Sequence, residues 1–199
     1  MKIGSKYKIA RRVGAPVFEK TQTQKFAMRE ARRERRMFSR SDFGLQLVEK
    51  QKVRYTYCMS ASQLAKYIKT VLDKRSDNPT DMLFGMLERR LDNTITRIGF
   101  AKTRLGARQI VNHGHIFVNG KRMSIPSYQV KKGDVITIRP QSASSKLYIN
   151  VDEQIAAAGI MSWINFDKEK KAATITGEPR LAEHQVPFDL RAAIEFHSR

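Results

Sequence analysis

The stretch from Glu88 to Ile138 constrains the fold of this chain more than any other part of its sequence. Apolar side chains recur at helical spacing across the start of this stretch, in a series formed by Leu83, Leu87, Leu91, Ile95 and Ile98. Gly99 follows the last of them, where a helix can end in a left-handed conformation without steric cost. A second helix is expected to begin near Thr103 as its N-cap and to end at Gly114.

The second half of the stretch has the period of strands. Asn119-Gly120 separates two short runs, 115–118 and 121–125, and favours a type I′ hairpin because both residues tolerate positive φ. Residues 132–134 form a further turn, and the run 135–138 is rich in β-branched residues. A module of about fifty residues is too small to enclose a large pocket, but it can hold a fixed array of cations. The pattern therefore predicts a binding surface and not an active site.

The chain is strongly basic, with 38 Lys and Arg side chains against 19 Asp and Glu and a net charge of +19. Such a chain attracts polyanions, of which nucleic acid is the commonest. Residues 1–58 hold 16 basic and 5 acidic side chains and residues 59–150 hold 16 and 6, whereas residues 151–199 hold 6 and 8. The first three quarters of the chain are therefore expected to face the nucleic acid.

Cys58 is the only cysteine, so the sequence predicts a reducing compartment, cytosolic or organellar.

A metal, a membrane and a small-molecule substrate are not expected as partners. A lone thiol cannot build a zinc site of the Cys₄ or Cys₃His type, and neither metal nor any other cofactor is predicted. The sequence has no apolar run of about 18 residues and no signal peptide, so no membrane association is expected. No small-molecule substrate is expected either.

The amino-terminal segment, residues 1–42, is basic and poor in large apolar residues, which predicts a loosely ordered extension that gains order against its partner. Its run 25–40 permits a helix that arginines nearly encircle. Guanidinium groups match phosphate bidentately, although a solvated face is the alternative. The candidate phosphate ligands here are Arg11, Arg12, Arg32, Arg33, Arg35, Arg36 and Arg40.

The remaining sequence predicts helices and two more strands. Ser41 looks like the cap of one helix, and residues 60–74 form a second, amphipathic one. After a polar linker at 140–145, a short helix and two strand-like runs precede a last helix at 191–197. We expect the sequence after Ser144 to return to the helices, which predicts a helical domain of residues 43–87 and 145–199 around an inserted module, 88–144.

The motif RLDN…R.GFA.TR..ARQ…HGHI.VNG…IPSY.VK.GD is similar to the RNA-binding domain of small-ribosomal-subunit protein four. This domain also occurs in pseudouridine synthases, tyrosyl-tRNA synthetases and a heat-shock RNA-binding protein. The flanking stretches KYKIARRVGAPVFEK, SDFGLQLVEKQKVRYTY and IEFHSR resemble the ribosomal family itself, in its metal-free form without amino-terminal zinc cysteines. The sequence departs from the family at Cys58, where glycine is expected, and at His197, where tyrosine is expected.

The resemblance implies an α+β fold, in which a helical domain carries an inserted module of two helices and a small twisted sheet. It also implies a ribosomal protein of a bacterium or an organelle. It implies binding to small-subunit rRNA at a multi-helix junction early in assembly, and an influence on translational accuracy. The implied neighbours are ribosomal protein five of the small subunit and the path by which messenger RNA enters. A free RNA chaperone that uses the same module is the alternative.

The candidate RNA-binding residues of the module lie at the matched motif positions. The two helices and the loop between them carry Arg90, Arg97, Lys102, Arg104, Arg108, Gln109 and His113. The sheet and its turns carry His115, Asn119, Lys121, Arg122, Ser127 and Tyr128. Any single arginine has a solvated helix face as its alternative role, and Tyr128 either stacks on a base or covers the small core.

No catalytic motif has the context that it requires. Asp92 in RLDN sits in a sequence superficially similar to that of the catalytic aspartate of pseudouridine synthases, but pairing with a neighbouring arginine or lying against the helix surface is the favoured role. The 61 residues after Ile138 carry eight basic and eight acidic side chains and are too few for a catalytic domain. No enzymatic activity is therefore expected.

Overall fold

The computed structural model describes residues 3–32, 41–143, 145, 148, 151–159 and 161–198. Its helices are α1 (Lys6–Val13), α2 (Gln24–Ala31), α3 (Asp42–Thr56), α4 (Ala61–Asp73), α5 (Pro79–Glu88), α6 (Leu91–Ile98), α7 (Arg104–Asn112), α8 (Pro140–Ala143), α9 (Val151–Ala158) and α10 (Leu190–Ser198). Its strands are β1 (Ile116–Val118), β2 (Lys121–Met123), β3 (Val135–Ile138), β4 (Ile164–Asp167) and β5 (Ala172–Ile175). The predicted α+β class is confirmed.

The chain forms two compact units. Unit 1 comprises residues 1–83 and 181–199, and unit 2 comprises residues 84–180. The carboxyl-terminal segment belongs to the helical unit from residue 181 onward. The segment 145–180, which the sequence assigned to the helical domain, lies in unit 2 because its strands extend the sheet of the central module.

Unit 1 is built of helices, and two of them, α3 and α4, begin as the capping rules predict. The Ser41 hydroxyl accepts a hydrogen bond from the Gly44 N–H at 3.3 Å, and the Ser60 hydroxyl accepts one from the Gln63 N–H at 3.2 Å. Helix α10 packs against α3 and α4. The two predicted helix starts are therefore confirmed, and the returning segment supplies apolar surface to the helices.

The amino-terminal part of unit 1 contains more structure than its composition predicted. Helix α1 and the connection that follows it bury a small apolar cluster formed by Ala10, Val13, Ala15, Val17 and Phe18. The predicted helix over residues 25–40 is observed from Gln24 to Ala31. Residues 33–40, which include the predicted phosphate ligands Arg33, Arg35, Arg36 and Arg40, lie outside the described residues.

Unit 2 is built on a five-stranded antiparallel sheet in the order β2-β1-β3-β5-β4. The predicted hairpin joins β1 to β2, with Ile116 opposite Met123 and positive φ at Asn119 (51°) and Gly120 (75°). The second pair, β4 and β5, attaches to β3 through Ile136 opposite Ala173. One apolar core therefore combines side chains of both pairs with those of α6, α7 and α9.

The periodic apolar series before Gly99 forms two helices and not one continuous helix. Helix α5 ends at Glu88 and α6 begins at Leu91, because Arg90 is extended (φ −66°, ψ 135°) and forms a β-bridge with Gln129. Gly99 ends α6 in the left-handed region, as predicted. A Cβ at Gly99 would lie 2.7 Å from the Cα of Ile155, so α9 packs directly on a position that only glycine fits.

Candidate nucleic-acid interface

Two parts of the motif that are distant in sequence meet at the start of α6. The Leu91 N–H donates to the Tyr128 carbonyl at 2.9 Å, and the Asp92 N–H donates to the Pro126 carbonyl at 3.1 Å. The first amides of a helix have no partner within it, and here the segment that contains Ser127 supplies one. The half-buried Ser127 and Tyr128 are thereby fixed beside α6.

Arg90 is the predicted RNA-binding residue that the structure contradicts. Its side chain is fully buried, with an exposed fraction of 0%, and its Nη2 lies 2.7 Å from Oδ2 of Asp92. Its Nε donates to Oδ1 of the same carboxylate at 3.1 Å. A bidentate pair of this kind satisfies both charges internally, so Arg90 holds the start of α6 and does not reach a ligand. Asp92 has the arginine partner that the sequence favoured.

Glu88 is a fully buried carboxylate that orients two side chains of α6. Its two oxygens accept hydrogen bonds from Nε and Nη2 of Arg97, both at 2.9 Å. Its Oε2 also accepts one from Nδ2 of Asn93 at 2.8 Å. The Arg97 side chain keeps an exposed fraction of 22%. Arg97 is therefore held in one direction, with part of its charge compensated by Glu88.

Asn93 connects this ion pair to α7. While its amide nitrogen donates to Glu88, its Oδ1 accepts a hydrogen bond from Nε of Arg104 at 2.7 Å. Helix α7 is itself fixed at its start, where the Thr103 hydroxyl accepts from the Gly106 N–H at 3.1 Å, as predicted. The half-exposed guanidinium of Arg104 is thus aimed by a chain of hydrogen bonds that begins at Glu88.

The other predicted residues of α7 and its flanks reach the surface. Lys102, Gln109 and His113 are exposed, and Arg108 is half-exposed. Arg104 and Arg108 are four residues apart on α7, so their side chains leave the same face of the helix. The structure therefore presents a cationic face along α7.

The Arg122 guanidinium lies against the end of α7. Its Nη2 donates to the His113 carbonyl at 3.2 Å, and a Cβ at Gly114 would come within 2.0 Å of its Nε. Gly114 has a φ of 71°, in the left-handed region that favours glycine, and without a Cβ it lets the Arg122 side chain lie against it. A cation at a helix carboxyl end is stabilised by the helix dipole. The hairpin and α7 therefore contribute to one basic surface, to which the exposed Lys121 of β2 also belongs.

The two histidines of the motif lie beside this surface. Their ring centroids are 6.0 Å apart, and Nδ1 of His115 lies 2.9 Å from the Ser142 hydroxyl of α8. His115 is half-buried, whereas His113 is exposed. His115 therefore links β1 to α8, and His113 is the one of the two that is open to a ligand.

Asn119 and Tyr128 take part in the structure of the hairpin and of the turn before β3. The Asn119 side chain accepts from the Val135 N–H at 2.9 Å and donates to Asp134 at 2.8 Å. The Tyr128 ring packs against the core, and its hydroxyl lies 3.5 Å from Asp134. Burial, and then the Asp134 carboxylate, raise the pKa of Tyr128. For Tyr128 these contacts favour covering the core over stacking on a base.

The predicted phosphate ligands of unit 1 that the structure describes are all exposed. They are Arg11, Arg12 and Arg32. Nε of Arg11 donates to the Tyr7 carbonyl one helical turn earlier, at 3.2 Å. They form a basic surface that belongs to unit 1, separate in the chain from the module of α6, α7 and the hairpin.

Sequence reasoning missed the residues that position the arginines, above all Glu88 and Asn93. A signal for Glu88 was present, because it lies three residues before Leu91 and seven before Ile95. Helical spacing puts such a position on the buried face, where a carboxylate requires a partner. Asn93 and Asp134 gave no comparable signal, because their partners come from a different element.

Within the described part of the chain, no group of three or more His, Cys, Asp or Glu side chains could hold a metal ion. No helix formed by those residues is long and apolar enough to cross a membrane.

Two protein-family models match the chain. The model of the ribosomal protein S4/S9 N-terminal domain matches residues 1–88. The model of the S4 domain matches residues 89–136, which contain α6, α7, the hairpin and the start of β3. The two matches are adjacent, and together they cover residues 1–136.

Proposed function

Because this chain belongs to the ribosomal protein S4 family, whose members are structural RNA-binding proteins of the small ribosomal subunit, we propose that it binds small-subunit rRNA directly at a multi-helix junction. We further propose that it nucleates assembly of the subunit there. The family is not a family of enzymes. The role of this chain in translation is accordingly that of a structural component of the ribosome.

The observation that supports the junction proposal is the fixed geometry of the cations around α7. Arg104 is aimed by Asn93 at 2.7 Å, and Arg122 is held against the end of α7 by the His113 carbonyl at 3.2 Å. Side chains that are ordered before binding lose less entropy when they bind. A rigid array of this kind is suited to phosphates at defined positions and not to a disordered polyanion.

The proposed mechanism is recognition of RNA shape and phosphate position. The deep groove of A-form RNA hides its base edges, so a protein recognises a junction through backbone geometry and exposed nucleotides. Arg104, Arg108 and Arg122 are proposed to bind phosphates, and Gln109 and His113 to contact nucleotides beside them. Arg97, Lys102, His115, Lys121 and Ser127 surround this surface, and the exposed arginines of unit 1 add affinity.

The finer assignments rest on family membership. We propose ribosomal protein five of the small subunit as a neighbour, a position near the path by which messenger RNA enters, and an influence on translational accuracy. We also propose that the chain is of the metal-free form, since Cys58 is its only cysteine. A free RNA chaperone is the less favoured alternative, because residues 1–88 match a ribosomal domain that the RNA-binding module alone does not include.

The test is the binding of the purified chain to small-subunit rRNA and to an unrelated structured RNA of equal length, across a salt series. A purely electrostatic binder loses affinity for both RNAs in parallel as salt rises. We expect an excess of affinity for the small-subunit rRNA that survives moderate salt. Two coincident curves that collapse together would instead favour a general RNA chaperone.

A further inference from the structure

Unit 1 contains an open groove that no part of the proposed junction-binding surface uses. It has a volume of about 810 Å³ and lies between α1, the connection that follows α1, and α2. The described residues that line it come from residues 10–31. The groove therefore lies in the amino-terminal part of unit 1.

The walls of the groove suit a flat apolar group. Gly14, Ala15 and Pro16 line one side and Ala27 the other, and none of these side chains extends far into the space. Phe26 adds a half-buried aromatic ring to the wall, and Tyr7 packs on that ring with centroids 5.9 Å apart. Planar nucleobases stack on aromatic rings, and this stacking does not depend on base identity.

Polar side chains also line the groove. Gln22 and Gln24 both line it and are exposed, and the only contact of the Gln22 amide that the structure gives is a long one, 3.4 Å to the Pro16 carbonyl. An amide carries both donors and an acceptor, so it can pair with the edge of any base. The groove thus combines a flat apolar wall with groups that bind base edges.

The charge around the groove selects the occupant. Residues 3–32 carry eight Lys and Arg side chains against two Glu, and of these arginines Arg11, Arg12, Arg29 and Arg32 are exposed. An apolar peptide or a neutral ligand gains nothing from such surroundings, whereas a nucleotide offers both a flat base and a phosphate. We propose that the groove binds an unpaired nucleobase of the small-subunit rRNA, with its phosphates held by the surrounding cations. This inference rests on the proposed function, since it requires that rRNA is bound.

The test fills the groove without changing any charge. Ala27 is exposed on α2 and lines the groove, so Ala27→Phe puts a ring into the space from a position where helix packing tolerates it. Met28→Phe is the matched control, because Met28 is 55% exposed and does not line the groove. Both variants of the full chain are compared with the unmodified chain in affinity for small-subunit rRNA, in salt dependence and in protection of unpaired bases from chemical modification.

Loss of one stacked base is expected to weaken binding about tenfold in Ala27→Phe. The salt dependence should stay the same, because no phosphate contact is lost. One or a few unpaired bases that the unmodified chain protects should become reactive again. Met28→Phe should change neither the affinity nor the protection pattern. Phe26→Leu keeps apolar packing but removes the aromatic ring, so it should expose the same bases. It serves as a second test if Ala27→Phe folds poorly.

An Ala27→Phe chain that is folded and binds rRNA with unchanged affinity and base protection would overturn the inference. So would a variant that keeps its RNA affinity but fails to enter small subunits, since the groove would then hold a neighbouring protein. These outcomes are distinct from failure of the proposed function. That failure would appear as absence of a specific excess of small-subunit rRNA binding in the unmodified chain itself.

Discussion

At the scale of single residues, Glu88 is the position on which the arrangement of the arginines depends. It is fully buried, and its carboxylate joins Arg97 directly and Arg104 through Asn93. Removing one partner of a buried pair leaves an uncompensated charge. A change at Glu88 would therefore leave Arg97 and Arg104 in the chain but would no longer hold their side chains in fixed positions.

Glu88→Gln keeps the shape of the side chain and removes its charge. We expect it to lower the free energy of unfolding by roughly 2 kcal/mol, less than the 3–5 kcal/mol typical of fully buried pairs, because Arg97 keeps partial exposure. Urea unfolding measures the change. In a double-mutant cycle, Glu88→Gln with Arg97→Met should cost less than the sum of the two single changes. Strict additivity would show that the two side chains are not coupled.

Residue roles were predictable from the sequence only where they depend on local backbone. Gly99, Gly114 and Asn119 were identified from turn and cap rules, and each has the positive φ expected. Cys58 also has a positive φ of 50°, so it bears a strain of about 1 kcal/mol. Arg90 was wrong as a ligand, because its burial depends on a bridge to Gln129 that no local rule contains.

At the scale of elements, α7 is the helix that we propose recognises the RNA. The effect of removing two of its arginines can be compared with the effect of removing two arginines of unit 1. Arg104→Ala with Arg108→Ala should weaken binding to small-subunit rRNA far more than Arg29→Ala with Arg32→Ala in unit 1. The reason is that Arg104 is held by Oδ1 of Asn93 at 2.7 Å, whereas Arg29 and Arg32 are exposed at the end of α2. Both double variants remove two cations, so both should reduce the salt dependence by about two counterions.

Affinities measured across the salt series separate the two effects. The prediction fails if the two double variants lose the same affinity, since binding would then depend on total charge and not on a privileged helix. Circular dichroism of both variants checks that the comparison is made between folded chains.

The pair formed by α3 and α10 carries a group that responds to pH. Burial, and then the charge of Lys50, lower the pKa of His197 below its ordinary value of about 6.5. The neutral imidazole is therefore the form that the folded chain favours. Its contribution to stability is complete above pH 6.5 and is lost as the pH falls through the folded pKa. His197→Tyr removes the titration, so the drop in unfolding free energy between pH 7.5 and pH 5 should be smaller than in the unmodified chain.

Lys50→Met tests the second cause of the lowered pKa. It removes the charge but keeps an apolar stem near Phe196, over which the ammonium lies at 4.2 Å. The acid-induced loss should shrink in this variant, though less than in His197→Tyr, because burial is the larger cause. An acid response in His197→Tyr equal to that of the unmodified chain would show that His197 does not control it.

Most elements were predictable from the sequence because their signals are local. The caps at Ser41, Ser60 and Thr103 and the Asn119-Gly120 hairpin follow from side chains within a few residues of the element that they define. The break between α5 and α6 was not predictable, because apolar spacing continues through it. It depends on hydrogen bonds to residues 126–130, which are almost forty residues further along the chain.

At the scale of the whole molecule, the sequence did not predict the path of the chain after the module of residues 88–144. Apolar runs near Trp163 and Ala172 predicted strands, and both strands exist. Nothing in their pattern states which sheet they join, since an antiparallel partner is selected by tertiary packing. The sequence therefore assigned them to the helical domain, whereas they complete the sheet of unit 2.

The two boundaries predict different behaviour for two fragments. A fragment of residues 88–144 follows the sequence-based boundary, and it lacks β4 and β5. Without them, β3 keeps β1 but loses β5 on its other edge. The core also loses Trp163, Ile164, Ala173 and Ile175, all of which are almost completely buried. An unpaired strand edge beside an exposed apolar core promotes aggregation. A fragment of residues 84–180 keeps the whole sheet and its core, so we expect it alone to unfold cooperatively in urea.

The same two fragments test where the RNA-binding surface resides. The 84–180 fragment carries α6, α7 and the hairpin with their supporting contacts, so it should prefer small-subunit rRNA over an unrelated RNA of equal length. Its affinity should be lower and less salt-dependent than that of the full chain, because the cations of residues 3–32 are absent. Equal stability of the two fragments would show that β4 and β5 are dispensable. Loss of preference in a folded 84–180 fragment would move the specific contacts to unit 1.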